Sequence, residues 1–265
     1  MDIAGYIAAI FIGIALRLIG GGGSILTVPV LVYLFKIDAV LATAYSLFIV
    51  GTTSIVGSFS YFKKGLLNFK MAIVFGIPSI VSVFLTRAYI VPAIPQKILT
   101  IANFTLTKST LLMLLFSVLM IFASYSMIKK NKSDSDDTPL NNTLNYPLVF
   151  AQGIFIGSVT GLIGAGGGFL IIPALVNLLK LPMKTAVGTS LLIISINSLT
   201  GFLFSLTHNS IQWQFLLLIT LIAITGILIG SFLSTKIEGK KLKPAFGWFV
   251  LVMGIYIIMK EAILK

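Results

Sequence analysis

The chain has no cysteine, a single histidine and only seven acidic residues among 265. Without cysteine, disulfides, thiolate metal ligands and cysteine nucleophiles are excluded. Asp2, Asp38, Asp134, Asp136, Asp137, Glu238 and Glu261 all fall in or near expected loops or chain ends. No carboxylate is therefore expected at the middle of an apolar run, where it could relay a proton. His208 is expected in an extracellular turn, and no HExxH pattern occurs. Neither metal nor general-base chemistry is equipped, so no catalytic residue, metal site or cofactor is expected, and an enzyme is poorly supported. Polar surface is scarce as well: 57% of residues are hydrophobic, 10% are charged and the mean hydropathy is +1.08. That composition cannot coat a soluble globule of this length, and it implies an integral membrane protein.

Runs at 71–93 (broken only by Arg87), 109–128, 184–206 and 211–234 each approach or exceed the roughly 20 apolar residues that a helix needs to span hydrocarbon. They lack the polar/apolar alternation of membrane barrel strands. The first apolar segment is as long as a signal peptide but has no basic leader and belongs to the repeat described below, so it is expected to stay in the mature protein. The formal charge of +12 comes from Lys and Arg mostly in short loops, where they set topology and meet anionic lipid head groups. No basic stripe interleaved with aromatics occurs on a soluble segment, so nucleic acid is not an expected partner.

The chain is an internal duplication. Residues 18–72 reappear at 162–216 with a constant offset of 144 and no gap, and 17 of the 55 aligned positions are identical. The best-preserved stretch is a glycine run ending in proline, with GGGGSILTVP (Gly20 to Pro29) lying over GAGGGFLIIP (Gly164 to Pro173). Glycine-interrupted apolar segments in corresponding positions of two halves point to a transporter's binding site, because an unwound helix brings bare backbone dipoles into the membrane. The polar stretch KKNKSDSDDTPLNNTLNY at 129–146 reads as a cytoplasmic linker between two repeats, 1–128 and 147–265. Each repeat carries a glycine-broken segment (5–36 and 147–180) and three long spans (about 39–60, 69–91 and 109–128; then 184–206, 211–234 and 245–260). Segment 92–108 reads as a loop or interfacial helix.

As one straight helix, residues 5–36 would run to about 48 Å, well beyond the hydrocarbon thickness. The segment must break, either into a broken helix that crosses once or into a short helical hairpin that returns. With a hairpin, the halves lie inverted and twelve lysines collect on one face against six basic residues on the other; a single crossing gives ten against eight. The sharper asymmetry favours inverted repeats with both termini outside. The expected fold is thus an all-α polytopic membrane protein with two homologous halves, each a glycine-broken short helical hairpin plus three long transmembrane helices.

Four near-consecutive glycines cost roughly 1 kcal/mol each in a helix, more than packing through spaced small residues requires. The expected reading is unwinding at Gly20–Ser24 and Gly164–Gly168, with short helices starting near Pro29 and Pro173. Helix N-termini of this kind attract anions.

GLIGAGGGFLIIPAL followed by AVGTSL (Ala186 to Leu191), with first-half copies LIGGGGSILTVPVL and ATAYSL (Ala42 to Leu47), resembles the sulfite exporter TauE/SafE family over nearly the whole chain. The resemblance implies a bacterial inner-membrane permease for sulfur-containing anions: sulfite, thiosulfate, sulfoacetate and related sulfonates. It also implies an anion path between the halves, with Gly20, Gly22, Gly23, Gly164, Gly166, Gly167 and Gly168 as the glycine motif. The T-S motif falls on Thr189 and Ser190, matched by Tyr45 and Ser46. Three departures stand out. Ser24 replaces the last glycine, Tyr45 replaces a threonine, and Arg17 stands where the second half has Gly161. An arginine at a membrane helix centre costs about 2.5–3.5 kcal/mol on insertion scales. Arg17 is therefore either a snorkelling or carbonyl-plugging residue or a fixed positive charge for the anion's oxygens. Thr52, Thr53, Ser54, Ser195, Asn197, Ser198 and Thr200 could line a hydroxyl-rich path. The expected function is a secondary transporter, with a passive anion channel as the alternative. The expected partners are a small anion and membrane lipid, with a homodimer left open.

Overall fold

A computed structural model describes residues 3–19, 21–101, 104–128, 146–177, 179, 181–206, 211–233 and 239–262. Gly20, Lys180, His208 and nearly all of the 129–146 linker lie outside these residues.

Helix α1 (Ile3–Ile19) is followed by a 3₁₀ stretch, Gly21–Leu26, a short α2 (Thr27–Pro29) and a π-helical turn, Val30–Leu34. This first segment folds back on itself. A Cβ built on Gly23 would strike the backbone of Leu16, one built on Gly5 would strike the Phe35 ring, and the Tyr6 and Phe35 rings stack edge to face at 5.6 Å. The two limbs therefore run antiparallel as a hairpin. The break itself differs from the expected unwinding, because Gly21–Leu26 stays helical in the tighter 3₁₀ form. A 3₁₀ turn keeps i to i+3 hydrogen bonds while winding the chain more tightly about its axis, and no left-handed glycine occurs at this reversal among the described residues.

α3 (Ala39–Lys63) starts at Asp38, whose carboxylate caps the helix by accepting from Val40 N at 2.9 Å. α4 (Phe69–Leu85) starts at Asn68, capped in the same way through Met71 N. It continues through a π-helical turn, Thr86–Ile90, into α5 (Val91–Ala93). The segment after it corrects the sequence expectation. Instead of a loop or interfacial helix, Lys97–Ile101 (β1) pairs antiparallel with Phe104–Thr107 (β2). Its Ile, Thr and Phe content favours strand over helix.

α6 (Lys108–Ile128) closes the first half. The second comprises α7 (Tyr146–Ile163), α8 (Gly168–Asn177), α9 (Met183–Ser205), α10 (Trp213–Leu233) and α11 (Gly239–Ala262). α8 begins five residues before the expected Pro173 start, because Gly167 C=O already accepts from Ile171 N at 3.0 Å. Each returning limb ends in an equivalent turn: Ile37 N donates to Leu31 O and Leu181 N to Leu175 O. Five helices among the described residues are long and apolar enough to cross a membrane, within Ala39–Lys63, Phe69–Ala93, Lys108–Tyr125, Met183–Ser205 and Trp213–Leu233. The surface carries exposed Phe11, Phe122, Phe155, Leu221 and Phe232, while Thr53, Ser54, Ser190, Asn197 and Ser198 are fully buried. Apolar outside and hydroxyl inside is the distribution of a chain solvated by lipid.

The principal helix pairs are α1 with α10, α4 with α7, α3 with α9 and α6 with α11. Small residues make these approaches close. On α7, Gly153, Gly157 and Gly161 recur every four residues and meet Pro78, Ser79 and Thr86 of the α4 rod; on the other side Gly13 faces Ala223, and Gly226 faces Ile10. Without hydrophobic drive inside lipid, such backbone contact supplies the dispersion that holds helices together. A Cβ on Gly157 would lie 2.9 Å from Ser79 Cα. Gly157→Val is accordingly expected to lower stability by about 1–3 kcal/mol, the usual cost of overpacking, read as a lower midpoint of thermal unfolding in detergent.

Candidate functional site

The centre of the molecule is the α3/α9 crossing. A Cβ on Gly57 would sit 3.3 Å from Leu191, and one on Gly201 would sit 3.1 Å from Leu47. Shifting Gly57 and Leu47 by the repeat offset of 144 gives Gly201 and Leu191. The same contact is thus made twice with partners exchanged. High numbers on one helix meet low numbers on the other, so α3 and α9 run antiparallel. Thr53 and Asn197, equivalent in the repeat, sit near the middle of this pair. Asn197 Nδ2 donates to Ser79 Oγ at 2.6 Å.

The second glycine break packs onto this crossing. Gly164, Gly166 and Gly167 have φ of +74°, +69° and +69°, left-handed values that only glycine adopts without strain. Space is closed as well as twisted. A Cβ on Gly164 would lie 2.5 Å from Thr43 Cβ, and one on Gly166 would lie 2.6 Å from Val50 Cγ1 and 2.9 Å from Ser198 Oγ. Gly168 opens α8. The 3₁₀ stretch Gly21–Leu26, with buried Gly23 and Ser24, packs directly against α8, so the two broken segments meet. Gly22 lies in that stretch; Gly20 is outside the described residues.

Arg17 is 5% exposed. Its Nη1 donates to Gly57 O at 3.3 Å, its Nη2 to Ser60 Oγ at 2.9 Å, and its guanidinium lies 4.7 Å from the Tyr61 ring centroid. Only Nε has no partner. The helix pair tolerates this bulk by a size exchange. Arg17 Cβ faces Gly230 on α10, whereas the equivalent Gly161 faces Thr86 on the α4 rod.

Tyr45 and Thr189 perform one task in two halves. Tyr45 Oη accepts from Gln212 N at 2.7 Å and Thr189 Oγ1 from Asn68 N at 3.0 Å, residues that stand just before α10 and α4. The longer tyrosine therefore reproduces the threonine's contact rather than merely filling the site. Ser190 Oγ bonds its own helix at Val187 O, the common fate of a membrane serine. Ser46 Oγ, Ser54 Oγ, Ser198 Oγ, Thr27 Oγ1, Thr160 Oγ1 and Asn197 Oδ1 are buried and have no partner. Buried hydroxyls left unpaired are unusual, and among them Thr160 and Ser198 lie against Gly167 and Gly166 of the second break while Thr27 directly follows the first. A hydroxyl can rotate its proton toward an anion, which suits this collection to an anionic guest.

Arg87 is the residue that the sequence reading missed. It is one of the six basic residues that the inverted topology assigns to the outer face, yet it is 3% exposed. Its Nη1 donates to Thr43 Oγ1 at 3.1 Å and lies 3.4 Å from Ser205 Oγ. The available signal was a lone arginine interrupting an apolar run. The Ser54/Ser198 pair was also legible, as an identity at the repeat offset.

Comparison with known proteins agrees with the fold. The family model of the sulfite exporter TauE/SafE matches residues 6–257. A protein of Xylella fastidiosa named a probable membrane transporter protein is 28% identical over 257 residues, covering 94% of this chain and 92% of that protein. Proteins with the same kind of name from Methanocaldococcus jannaschii and Bacillus subtilis are 27% and 26% identical, covering 96% and 91% of this chain and 94% and 89% of theirs. No solved structure matches the chain. With a family model matched almost end to end, the same glycine motif in both halves and five spanning helices, the chain belongs to the sulfite exporter TauE/SafE family of multi-pass membrane proteins.

Proposed function

We propose that this membrane transporter is a secondary permease for small sulfur-containing anions such as sulfite, thiosulfate, sulfoacetate or other sulfonates. The observation that carries the reading is the meeting of two glycine-broken segments amid buried hydroxyls and two buried arginines, with no carboxylate bonded to either arginine among the described residues. Such an interior favours negative charge over positive. The unpaired hydroxyls and guanidinium nitrogens within it are donors that an anion's oxygens can satisfy, while Asn197 Oδ1 is an acceptor.

The reading includes an inverted-repeat architecture, with repeats 1–128 and 147–265 joined by a cytoplasmic linker at 129–146 in a bacterial inner membrane, and both termini outside. Antiparallel packing of the equivalent helices α3 and α9 supports it. So does the equally antiparallel pair of α6 and α11, where Gly247 meets Met127 and Gly254 meets Met120. Equivalent helices that oppose each other are what an axis lying in the membrane plane produces. In this reading Arg17, Ser24, Tyr45, Ser46, Thr189, Ser190, Asn197 and the glycines of both runs line the anion path.

Calorimetric titration of purified protein with sulfite, thiosulfate, sulfoacetate and a choline control tests the substrate class. Saturable heat with at least one sulfur anion and none with choline is expected. Binding of none of the anions would overturn it.

A further inference from the structure

The two buried arginines occupy opposite ends of the α3/α9 pair. Arg17 touches Gly57, Ser60 and Tyr61 near the C-terminal end of α3. Arg87 touches Thr43 near the N-terminal end of α3 and Ser205 at the end of α9. Thr43 and Ser60 are separated by about 26 Å along the helix at 1.5 Å per residue. Shifting Tyr61 by the repeat offset gives Ser205. The guanidinium of Arg87 thus reaches the repeat equivalent of one Arg17 contact, Tyr61, although it arrives from α4's extension rather than from α7. Sequence alignment of the repeats hides this, because the equivalents of Arg17 and Arg87 are Gly161 and Ser231.

Their hydrogen bonding differs in a way that matters chemically. Arg17 uses both terminal nitrogens on the protein. Arg87 uses only Nη1, and its Nε and Nη2 have no partner although the side chain is 97% buried. Nε–H and the Nη2–H that points the same way form one edge of the guanidinium plane, the fork that grips two oxygens of one oxyanion. A buried cation with an empty fork and no carboxylate bonded to it carries an uncompensated desolvation cost, which an arriving anion removes. The adjacent Thr86 Oγ1 is likewise buried and unpaired. Thr43, which holds Nη1, lies directly against Gly164 of the second break.

We propose that Arg87 is a second anion-binding residue, gripping two oxygens of a sulfonate or sulfur oxyanion through its empty Nε/Nη2 edge, and that Arg17 and Arg87 form separate stations at the two ends of one path. The proposal rests on the anion-permease reading. With their partners Thr43 and Ser60 about 26 Å apart along α3, the arginines cannot hold one small anion together, so each serves the site when it opens toward its own side of the membrane. Thr43 and Ser205 are positioning residues that turn the fork inward.

Calorimetry with sulfoacetate on the purified wild type, Arg87→Met and Arg87→Lys, each checked for a monodisperse elution peak, tests this. Wild type should bind, Arg87→Met should lose at least tenfold in affinity, and Arg87→Lys should lose about fivefold, because an ammonium cannot reproduce the planar fork. If Arg87→Met does not fold, Arg87→Lys, which keeps the charge, carries the decision. Wild-type binding with variants equally tight would overturn the role of Arg87 and leave the permease reading standing. Failure of the wild type to bind sulfoacetate, sulfite or thiosulfate would overturn both.

Discussion

Gly166→Ala is expected to destabilise the protein by about 2–5 kcal/mol, combining roughly 1–2 for a left-handed non-glycine residue with about 1–3 for overpacking. Both contributions are visible at this position. Its φ is +69°, and an added methyl would press on Val50 Cγ1 and Ser198 Oγ. Neither neighbour has room, since Val50 and Ser198 are fully buried. Gly65 separates the two effects. Its φ is +65° but nothing lies within 4 Å of an added Cβ, so Gly65→Ala should cost only the conformational part, about 1–2 kcal/mol. Thermal unfolding of both purified variants against wild type checks the difference. Equal midpoints for the two alanine variants would mean that close packing at the second break contributes nothing.

Arg17→Met is expected to weaken sulfur-anion binding by an amount toward the lower end of about 1.5–3 kcal/mol, the usual worth of a hydrogen bond to a charged group. The lower end follows from geometry, because Gly57 O and Ser60 Oγ already occupy its terminal nitrogens and leave only Nε. Methionine keeps length and apolar packing while removing charge and donors. It also leaves Gly57 O without this donor at the α3 end, so a fall in unfolding midpoint should accompany the loss of affinity. Arg17→Lys should restore only part, since an ammonium is a point charge and not a fork. Calorimetry with the same anion on all three proteins decides it. If the methionine variant binds as tightly as wild type, Arg17 is a brace between α1 and α3 and nothing more.

The spans were legible because lipid forces apolar length, and lipid leaves few alternatives to helix. Expected starts at 39, 69 and 109 lie at or within one residue of the helices observed from Ala39, Phe69 and Lys108. A break within 5–36 was also legible, because that stretch is too long for one straight crossing, and the lysine count of twelve against six favoured the hairpin over a broken single crossing. What failed was local backbone detail. Glycine runs announce a break but not its form, and the two copies chose differently: a 3₁₀ stretch at Gly21–Leu26, and left-handed residues at Gly164, Gly166 and Gly167. Ser24 has a Cβ where Gly168 has none, and the first copy kept helical backbone throughout its described residues. The β1/β2 pairing at 97–107 escaped because so short an apolar stretch has no clear period. Arg87 escaped for a different reason. A sequence shows that an arginine interrupts a run, whereas only the packing of Thr43 and Ser205 shows that its end is enclosed.

We propose that the two halves carry a sulfur anion by exposing its site alternately, which counterflow tests. Proteoliposomes loaded with excess unlabelled sulfite and diluted into a trace of labelled sulfite should accumulate the label transiently above equilibrium, at a rate that saturates with concentration. With the membrane potential held at zero by potassium and valinomycin, a passive pore cannot produce that overshoot, because no diffusion potential is left to draw the charged label inward. Label that enters linearly, without saturation and without exceeding equilibrium, would contradict the account and mark the chain as a channel.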